Sequence, residues 1–114
     1  LEVLREYHTA IMCLTRDELE RFNFVKGDTE GFVNYALSIE NVVFTAFFVK
    51  QDDLVKISFR SINQFRANLL SKEHFGGGGH INAAGGAFEG SMEDAIAKFK
   101  SVLPNYKQEL LANC

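Results

Sequence analysis

A chain of 114 residues, 46% hydrophobic and 24% charged, suits one compact domain that buries roughly two-thirds of its unfolded surface. Eleven Phe, a single Pro and no Ser- or Gln-rich tract exclude intrinsic disorder and a collagen-like fold. Twelve Lys and Arg against fifteen Asp and Glu leave a net charge of −3, which argues against a duplex binder with a broad basic surface, so any anion has to be gripped locally.

The first residue is Leu1 rather than Met, and Leu1–Glu6 reads as the middle of an element, so the chain is expected to be a piece of something longer. No basic region precedes an apolar run there, and no signal peptide is expected. Tyr7–Leu14 is rich in strand formers, and Thr15 with Glu18 makes a capping box that opens a short helix from Arg16 to about Phe22. Phe24–Gly31 holds two glycines, with Asp28 and Thr29 as candidate caps for a helix through Phe32, Val33, Ala36 and Leu37. Val42–Val49 is nearly all apolar and β-branched or aromatic, the pattern of a strand covered on both faces. The run is about half the length that a membrane-crossing helix needs, so it predicts no span. A turn at Gln51-Asp52-Asp53 leads into Leu54–Phe59, where Val55, Ile57 and Phe59 alternate with Lys56, Ser58 and Arg60. Arg60 thus falls on the polar phase at a strand end, where α/β folds place ligands.

Phe65, Leu69 and Leu70 predict a one-sided helix over Asn63–His74, ended by the glycines between Phe75 and His80. A short strand is expected near Ala83–Phe88. Ser91, with Asp94 as a near capping box, opens a helix on Met92, Ala95, Ile96, Phe99, Val102 and Leu103. Pro104 breaks or kinks it before a last turn or two bearing Tyr106, Leu110 and Leu111. This order predicts an α/β fold: a single domain with a mixed central β-sheet, helices on both faces and a long C-terminal helix.

Four consecutive glycines, Gly76 to Gly79, are the strongest chemical signal, because successive backbone N–H groups can turn inward as an anion nest; the competing reading is a flexible hinge. Neither Lys nor Ser/Thr follows them, which excludes a P-loop, and the spacing is not that of a Rossmann turn. His80 can donate to a phosphate or meet a ribose hydroxyl, or else cap and pack. Arg60 with Ser61 offers a planar fork beside a hydroxyl. Asn63, Asn68 and Asn82 can read a sugar or base edge, or serve turns. Cys13 and Cys114 are too few for a disulfide framework and too isolated for zinc, which fits a reducing cytoplasm. His8, His74 and His80 lack carboxylates at metal-ligand spacing, so no metal site is expected in the chain. Residue chemistry alone reaches a phosphate-binding domain with no visible nucleophile or base.

Val55–Ser61 followed by Phe75–Gly86, with its Gly-Gly-Gly-Gly-His-Ile-Asn-Ala-Ala-Gly-Gly string, closely resembles the DHH-associated C-terminal domain of the DHH phosphoesterases. Gly27–Tyr35 and the terminal helix resemble the branch of nanoRNase-type oligoribonucleases and 3′-phosphoadenosine 5′-phosphate phosphatases, often labelled exopolyphosphatase-related. The resemblance implies that residues 1–114 form the substrate-binding domain, and that a catalytic DHH domain absent from this chain holds Mn²⁺. The intact protein is then an Mn-dependent hydrolase, whereas this chain alone is inactive and carries no cofactor. Carried over by motif, the substrate-binding residues are Arg60, Ser61, Gly76, Gly77, Gly78, Gly79 and His80. The implied partners are short RNA or a nucleotide phosphate and the protein's own N-terminal DHH domain, with a homodimer left open, no membrane, and a cytoplasmic location. Ile62-Asn63 and Arg66-Ala67-Asn68 depart from the family's pattern, which leaves base and length preference open. Because the motif type also occurs in cyclic dinucleotide phosphodiesterases and in the C-terminal domain of alanyl-tRNA synthetase, the competing functions are a non-hydrolytic nucleic-acid or tRNA-binding module and a domain of a cyclic dinucleotide phosphodiesterase.

Overall fold

The computed structural model describes residues 1–21 and 26–113; Phe22 and Phe24, at the ends of predicted segments, and Cys114 lie outside the described residues. The chain opens with a strand, β1 (Glu2–Leu4), and a 3₁₀ turn, Arg5–Tyr7, which leads into β2 (Thr9–Thr15). His8 takes a left-handed φ of 50° at that junction, so the second strand begins two residues later than its apolar composition suggests. The capping box forms as predicted: the Glu18 amide donates to Thr15 Oγ1 at 3.0 Å, and the Thr15 amide donates to Glu18 Oε1 at 2.9 Å. It starts α1 (Arg16–Arg21), and α2 (Lys26–Leu37) follows. Because α2 begins at Lys26, Asp28 and Thr29 stand inside the helix rather than ahead of it as caps.

Strands β3 (Phe44–Gln51) and β4 (Leu54–Ser61) form the predicted hairpin at the centre of a six-stranded sheet. A further strand pair, β5 (Gly78–His80) and β6 (Ala83–Glu89), completes the order β1-β2-β3-β4-β6-β5. Only β2 and β3 run parallel, joined by the α1–α2 crossover, and the sheet is therefore mixed. Phe44, Ala46 and Phe48 of β3 and Val55, Ile57 and Phe59 of β4 share one face. There they meet α3 (Ala67–His74), α4 (Met92–Val102), a 3₁₀ turn at Leu103–Tyr106 and α5 (Lys107–Ala112). Phe99 sits fully buried at the middle, its ring centroid 5.7 Å from Phe44, 5.5 Å from Phe48, 6.1 Å from Phe59 and 6.4 Å from Phe75. On the opposite face Ala10, Ala36 and Val42 seat α2 over β2 and β3. Thr45 and Phe47 are buried on that second face, so β3 is covered on both sides as its composition predicts.

At the C-terminal end Ser91 caps α4 by accepting from the Asp94 amide at 3.0 Å. Pro104 lies in the 3₁₀ turn, where its missing amide hydrogen costs no α-helical bond, and α5 carries the chain on. Tyr106 Oη donates to Glu73 Oε1 at 2.5 Å, tying this turn to α3. Burial, and then that bond, raise the Tyr106 phenol well above its ordinary value, which keeps it a donor. Among the described residues no helix is long and apolar enough to cross a membrane.

Two predicted segments differ. The helix expected over Asn63–His74 starts only at Ala67, because Asn63 turns left-handed at φ 57° and the Ser61 hydroxyl donates to the Phe65 carbonyl at 2.8 Å. These bonds hold residues 62–66 as a loop that drops Phe65 into the core from outside the helix. The glycine run differs too, since it is neither a free hinge nor a continuous nest. Gly77 donates to the Ser71 carbonyl at 3.2 Å, and the run then straightens into the edge strand β5. The fully buried Ser71 donates its hydroxyl to the Gly85 carbonyl at 2.7 Å, clamping α3, the glycine run and β6 together. A Cβ at Gly77 would lie 1.8 Å from the Gly85 carbonyl oxygen. One at Gly79, where φ is +142°, would lie 2.7 Å from the Ala83 oxygen, whereas one at Gly78 would meet nothing within 4 Å.

Two stability outcomes follow from this packing. Phe99→Ala removes the ring that four other rings contact and is expected to cost about 3 to 5 kcal/mol in urea unfolding, the usual range for a buried Phe truncation; a loss under about 1 kcal/mol would contradict the core described. In the same assay Gly77→Ala is expected to cost about 1 to 3 kcal/mol, as overpacking does. Gly78→Ala is expected to stay within about 0.5 kcal/mol of the parent, and an equal loss at both positions would contradict the crossing geometry.

Candidate anion-binding face

Strand alternation decides which side chains can cooperate. Arg60 pairs laterally with Thr45 on β3 and Ala83 on β6, and Ala83 pairs with His80 on β5. Arg60, Ala83 and His80 therefore form one row across three strands on the face opposite the Phe99 core. The next row, two residues along, is Ser58, Gly85 and Gly78, and beyond it lie Lys56 and Ala87. Among the described residues helix α2 packs on β2 and β3 on this face, and the rows on β4, β6 and β5 are left largely exposed. His80, Gly78, Gly85 and Lys56 are exposed, and Ser58 and Arg60 are half-buried.

The result is a trough with a floor of two glycines. A Cβ at Gly85 would meet only the Ile57 carbonyl oxygen, at 3.7 Å, and one at Gly78 would meet nothing. Internal packing accounts for Gly77 and Gly79 but not for Gly78 or Gly85, whose missing side chains leave this surface low. From β4 to β5 the floor is roughly 10 Å across and from row to row roughly 7 Å, as strand spacing and rise dictate. Arg60 and His80 stand along one side and Lys56 along the other, so a local cationic rim exists although the chain as a whole is acidic.

Arg60 is held rather than loose. Its Nη1 donates to the Phe59 carbonyl at 2.9 Å and, at the long limit of 3.5 Å, to the Ala84 carbonyl. Its Nη2 donates to Glu30 Oε1 on α2 at 2.5 Å. The side chain is 23% exposed, and two of the five guanidinium N–H groups keep no acceptor among the described residues. A planar donor fixed on one side and open on the other suits an incoming anion.

The structure separates Ser61 from this row. Adjacent strand residues face opposite ways, and Ser61, 5% exposed, lies on the core side of β4. Its hydroxyl donates to the Phe65 carbonyl and accepts from Asn82 Nδ2 at 2.9 Å. Ser61 thus braces the loops that frame the face and is not a fork partner of Arg60. Asn82 and Asn63 belong to the same brace: Asn82 Nδ2 also reaches the Asn63 carbonyl at 3.2 Å, and Asn63 Nδ2 donates to the Asn113 carbonyl at 2.6 Å. Asn68 points at the Gly79 carbonyl from 3.5 Å. Gly76 makes the left-handed turn out of α3, and Gly77 faces inward, so of the four glycines Gly78 contributes most to the open face. Sequence reasoning passed over Glu30, Lys56, Ser58 and Gly85 as site residues; the alternation of Lys56, Ser58 and Arg60 was the available signal for two of them. Among the described residues no group of three or more His, Cys, Asp or Glu side chains is placed to hold a metal ion.

Comparison with known proteins agrees with this architecture. The chain is 32% identical over 83 residues to the bifunctional oligoribonuclease and PAP phosphatase NrnA of Thermus thermophilus, a match that covers 73% of this chain and 25% of that protein. The crystal structure of an exopolyphosphatase-related protein from Bacteroides fragilis superposes with a TM-score of 0.87 and 46% identity, over 96% of this chain and 32% of that one. The C-Ala domain of Aquifex aeolicus alanyl-tRNA synthetase shares the fold, with a TM-score of 0.60 and 11% identity over 83% of this chain and 89% of that domain. The chain thus spans about a third or less of the first two proteins. The DHHA1 domain profile matches residues 6–106, nearly the whole of the sheet and its helices, and the chain belongs to the DHHA1 domain family.

Proposed function

We propose that this chain is the substrate-recognition domain of a DHH-family phosphoesterase that acts on short oligoribonucleotides, on 3′-phosphoadenosine 5′-phosphate, or on both. The observation that carries the reading is the open trough: two glycines that the fold does not require, set between Arg60 with His80 on one side and Lys56 on the other. A sugar-phosphate backbone can lie flat on such a floor, with phosphate oxygens toward the guanidinium and imidazole and a sugar hydroxyl within reach of Ser58. The likeness to a protein named as an oligoribonuclease and PAP phosphatase supports this substrate class. Ser61 and Gly77 act one layer below, by holding β4, β6 and the glycine run in register.

Mn²⁺, which the family resemblance implies, finds no matching donor cluster among the described residues. In this division of labour this chain binds and orients the substrate, and another part of the protein cleaves the bond, in the cytoplasm. Accordingly the isolated chain is expected to release no mononucleotide from a ribodinucleotide with Mn²⁺ present, followed by chromatography; turnover at a rate near that of the intact protein would refute the division of labour.

Arg60→Lys in the intact protein is expected to weaken the ribodinucleotide by about 1.5 to 3 kcal/mol, because a point charge cannot reproduce two directed bonds to phosphate. Gly78→Ala, which the packing tolerates, is expected to raise KM while leaving the unfolding midpoint unmoved. If neither substitution changes KM or kcat/KM, the trough is not where substrate binds.

A further inference from the structure

The trough has one feature that phosphate binding by itself does not call for, a carboxylate on its principal cation. Resting on the reading just given, we infer that Glu30 is a specificity-determining residue that makes this face select ribose phosphates over bare polyanions. Its carboxylate accepts the ribose 2′-hydroxyl while Arg60 and His80 take the phosphate.

Glu30 reaches from α2, over the covered half of the sheet, to Arg60 at the boundary of the open half. Oε1 is bonded to the guanidinium, whereas Oε2 carries no hydrogen bond among the described residues, and the side chain is 45% exposed. An ionised carboxylate is acceptor-only, so its open oxygen is satisfied by a ligand that brings a donor. Ribose hydroxyls are donors; a fully ionised tripolyphosphate has none. A bare polyanion must approach Arg60 beside a negative charge that already occupies part of it, and like charges set side by side weaken binding. A ribonucleotide satisfies both members of the pair, with phosphate on the two remaining guanidinium N–H groups and a hydroxyl on Oε2. A deoxynucleotide lacks the 2′-hydroxyl and leaves that oxygen unmatched, and sites built to hydrogen-bond a hydroxyl reject ligands that lack it. The pair therefore accounts for a phosphate site set in an acidic chain: selectivity comes from a donor and an acceptor held together, not from a field of positive charge.

The test is calorimetric binding to the intact protein, without turnover, of a ribodinucleotide, the matching deoxyribodinucleotide and inorganic tripolyphosphate. The wild type is expected to prefer the ribodinucleotide to the deoxy form by at least about tenfold, the lower end for a hydrogen bond to a charged group. Glu30→Gln, similar in shape but uncharged, is expected to bring that ratio below about threefold and to tighten tripolyphosphate severalfold. Glu30→Asp keeps the charge with a shorter reach and is expected to go on excluding tripolyphosphate. A ribo-to-deoxy ratio unchanged in Glu30→Gln overturns the inference. Arg60→Lys, run alongside, separates the two failures. If it weakens the ribodinucleotide while the Glu30→Gln ratio stays put, the role of Glu30 falls and the reading of the face stands; if it changes nothing, the reading of the face falls and takes the inference with it.

Discussion

The crossing of the glycine run over β6 is the constraint on which the open face depends. Ser71 sits fully buried in the middle of α3, donating its hydroxyl to the Gly85 carbonyl and accepting the Gly77 amide on its own carbonyl. The backbones come so close there that a side chain at 77 has no room. Because the run is held down at this point, its next residues have only one place to go, alongside β6, where they add a strand to the sheet. That added strand extends the sheet past the reach of α2 and leaves its far face uncovered, and it carries His80 into the row of Arg60. Packing on the core side thus shapes the open face on the other side, and Gly85 serves both: its carbonyl takes the Ser71 hydroxyl while its missing side chain leaves the floor low.

This division explains how an acidic domain can present a face suited to an anion. Arg60 and Lys56, both on β4, and the His80 imidazole, on β5, lie in two rows of the face, and each is placed by a register that the hydrophobic core fixes. Long-range attraction contributes little at a net charge of −3, so affinity has to arise from directed, partly desolvated bonds at short range. Arg60 meets that requirement because its guanidinium is oriented before any ligand arrives, by a strand carbonyl on one side and a helix carboxylate on the other. Preorganisation removes side-chain entropy loss from the binding step, at the cost of charge that Glu30 partly neutralises.

Local chemistry was legible in the sequence wherever a few neighbouring residues settle the outcome. Thr15 with Glu18 and Ser91 with Asp94 form the caps that their spacing specifies, the central hairpin turns at Asp52-Asp53, and Pro104 marks the break in the C-terminal helix. What escaped is what contacts far along the chain decide. Nothing in Gly78-Gly79-His80 has strand propensity, and β5 exists because Ser71 and β6 hold it. Asn63–Arg66 continues a helical pattern of apolar residues, yet Phe65 enters the core from a loop because the Ser61 hydroxyl and a left-handed Asn63 fix its backbone first. The motif reading joined Arg60 to Ser61 because they are adjacent in sequence, whereas strand geometry puts adjacent residues on opposite faces. Period-two alternation along Val55, Ile57 and Phe59, continued by two residues, puts Ser61 on their side of the sheet and Arg60 on the other.

A motif of glycines therefore mixes two kinds of requirement that sequence cannot separate. Gly77 and Gly79 are small because backbone or an unusual φ forbids anything larger, and substitution there disturbs the fold before it disturbs a ligand. Gly78 and Gly85 are small although the chain has space for more. A position left empty without internal need points outward, to whatever occupies the space, and here that space lies beside a fixed guanidinium, an exposed imidazole and a half-exposed carboxylate. The fold is shared at low identity with a domain of alanyl-tRNA synthetase, so the sheet and its core do not by themselves assign a chemistry. The functional signal lies in the pattern of the uncovered face, where missing side chains and charged ones alternate in register.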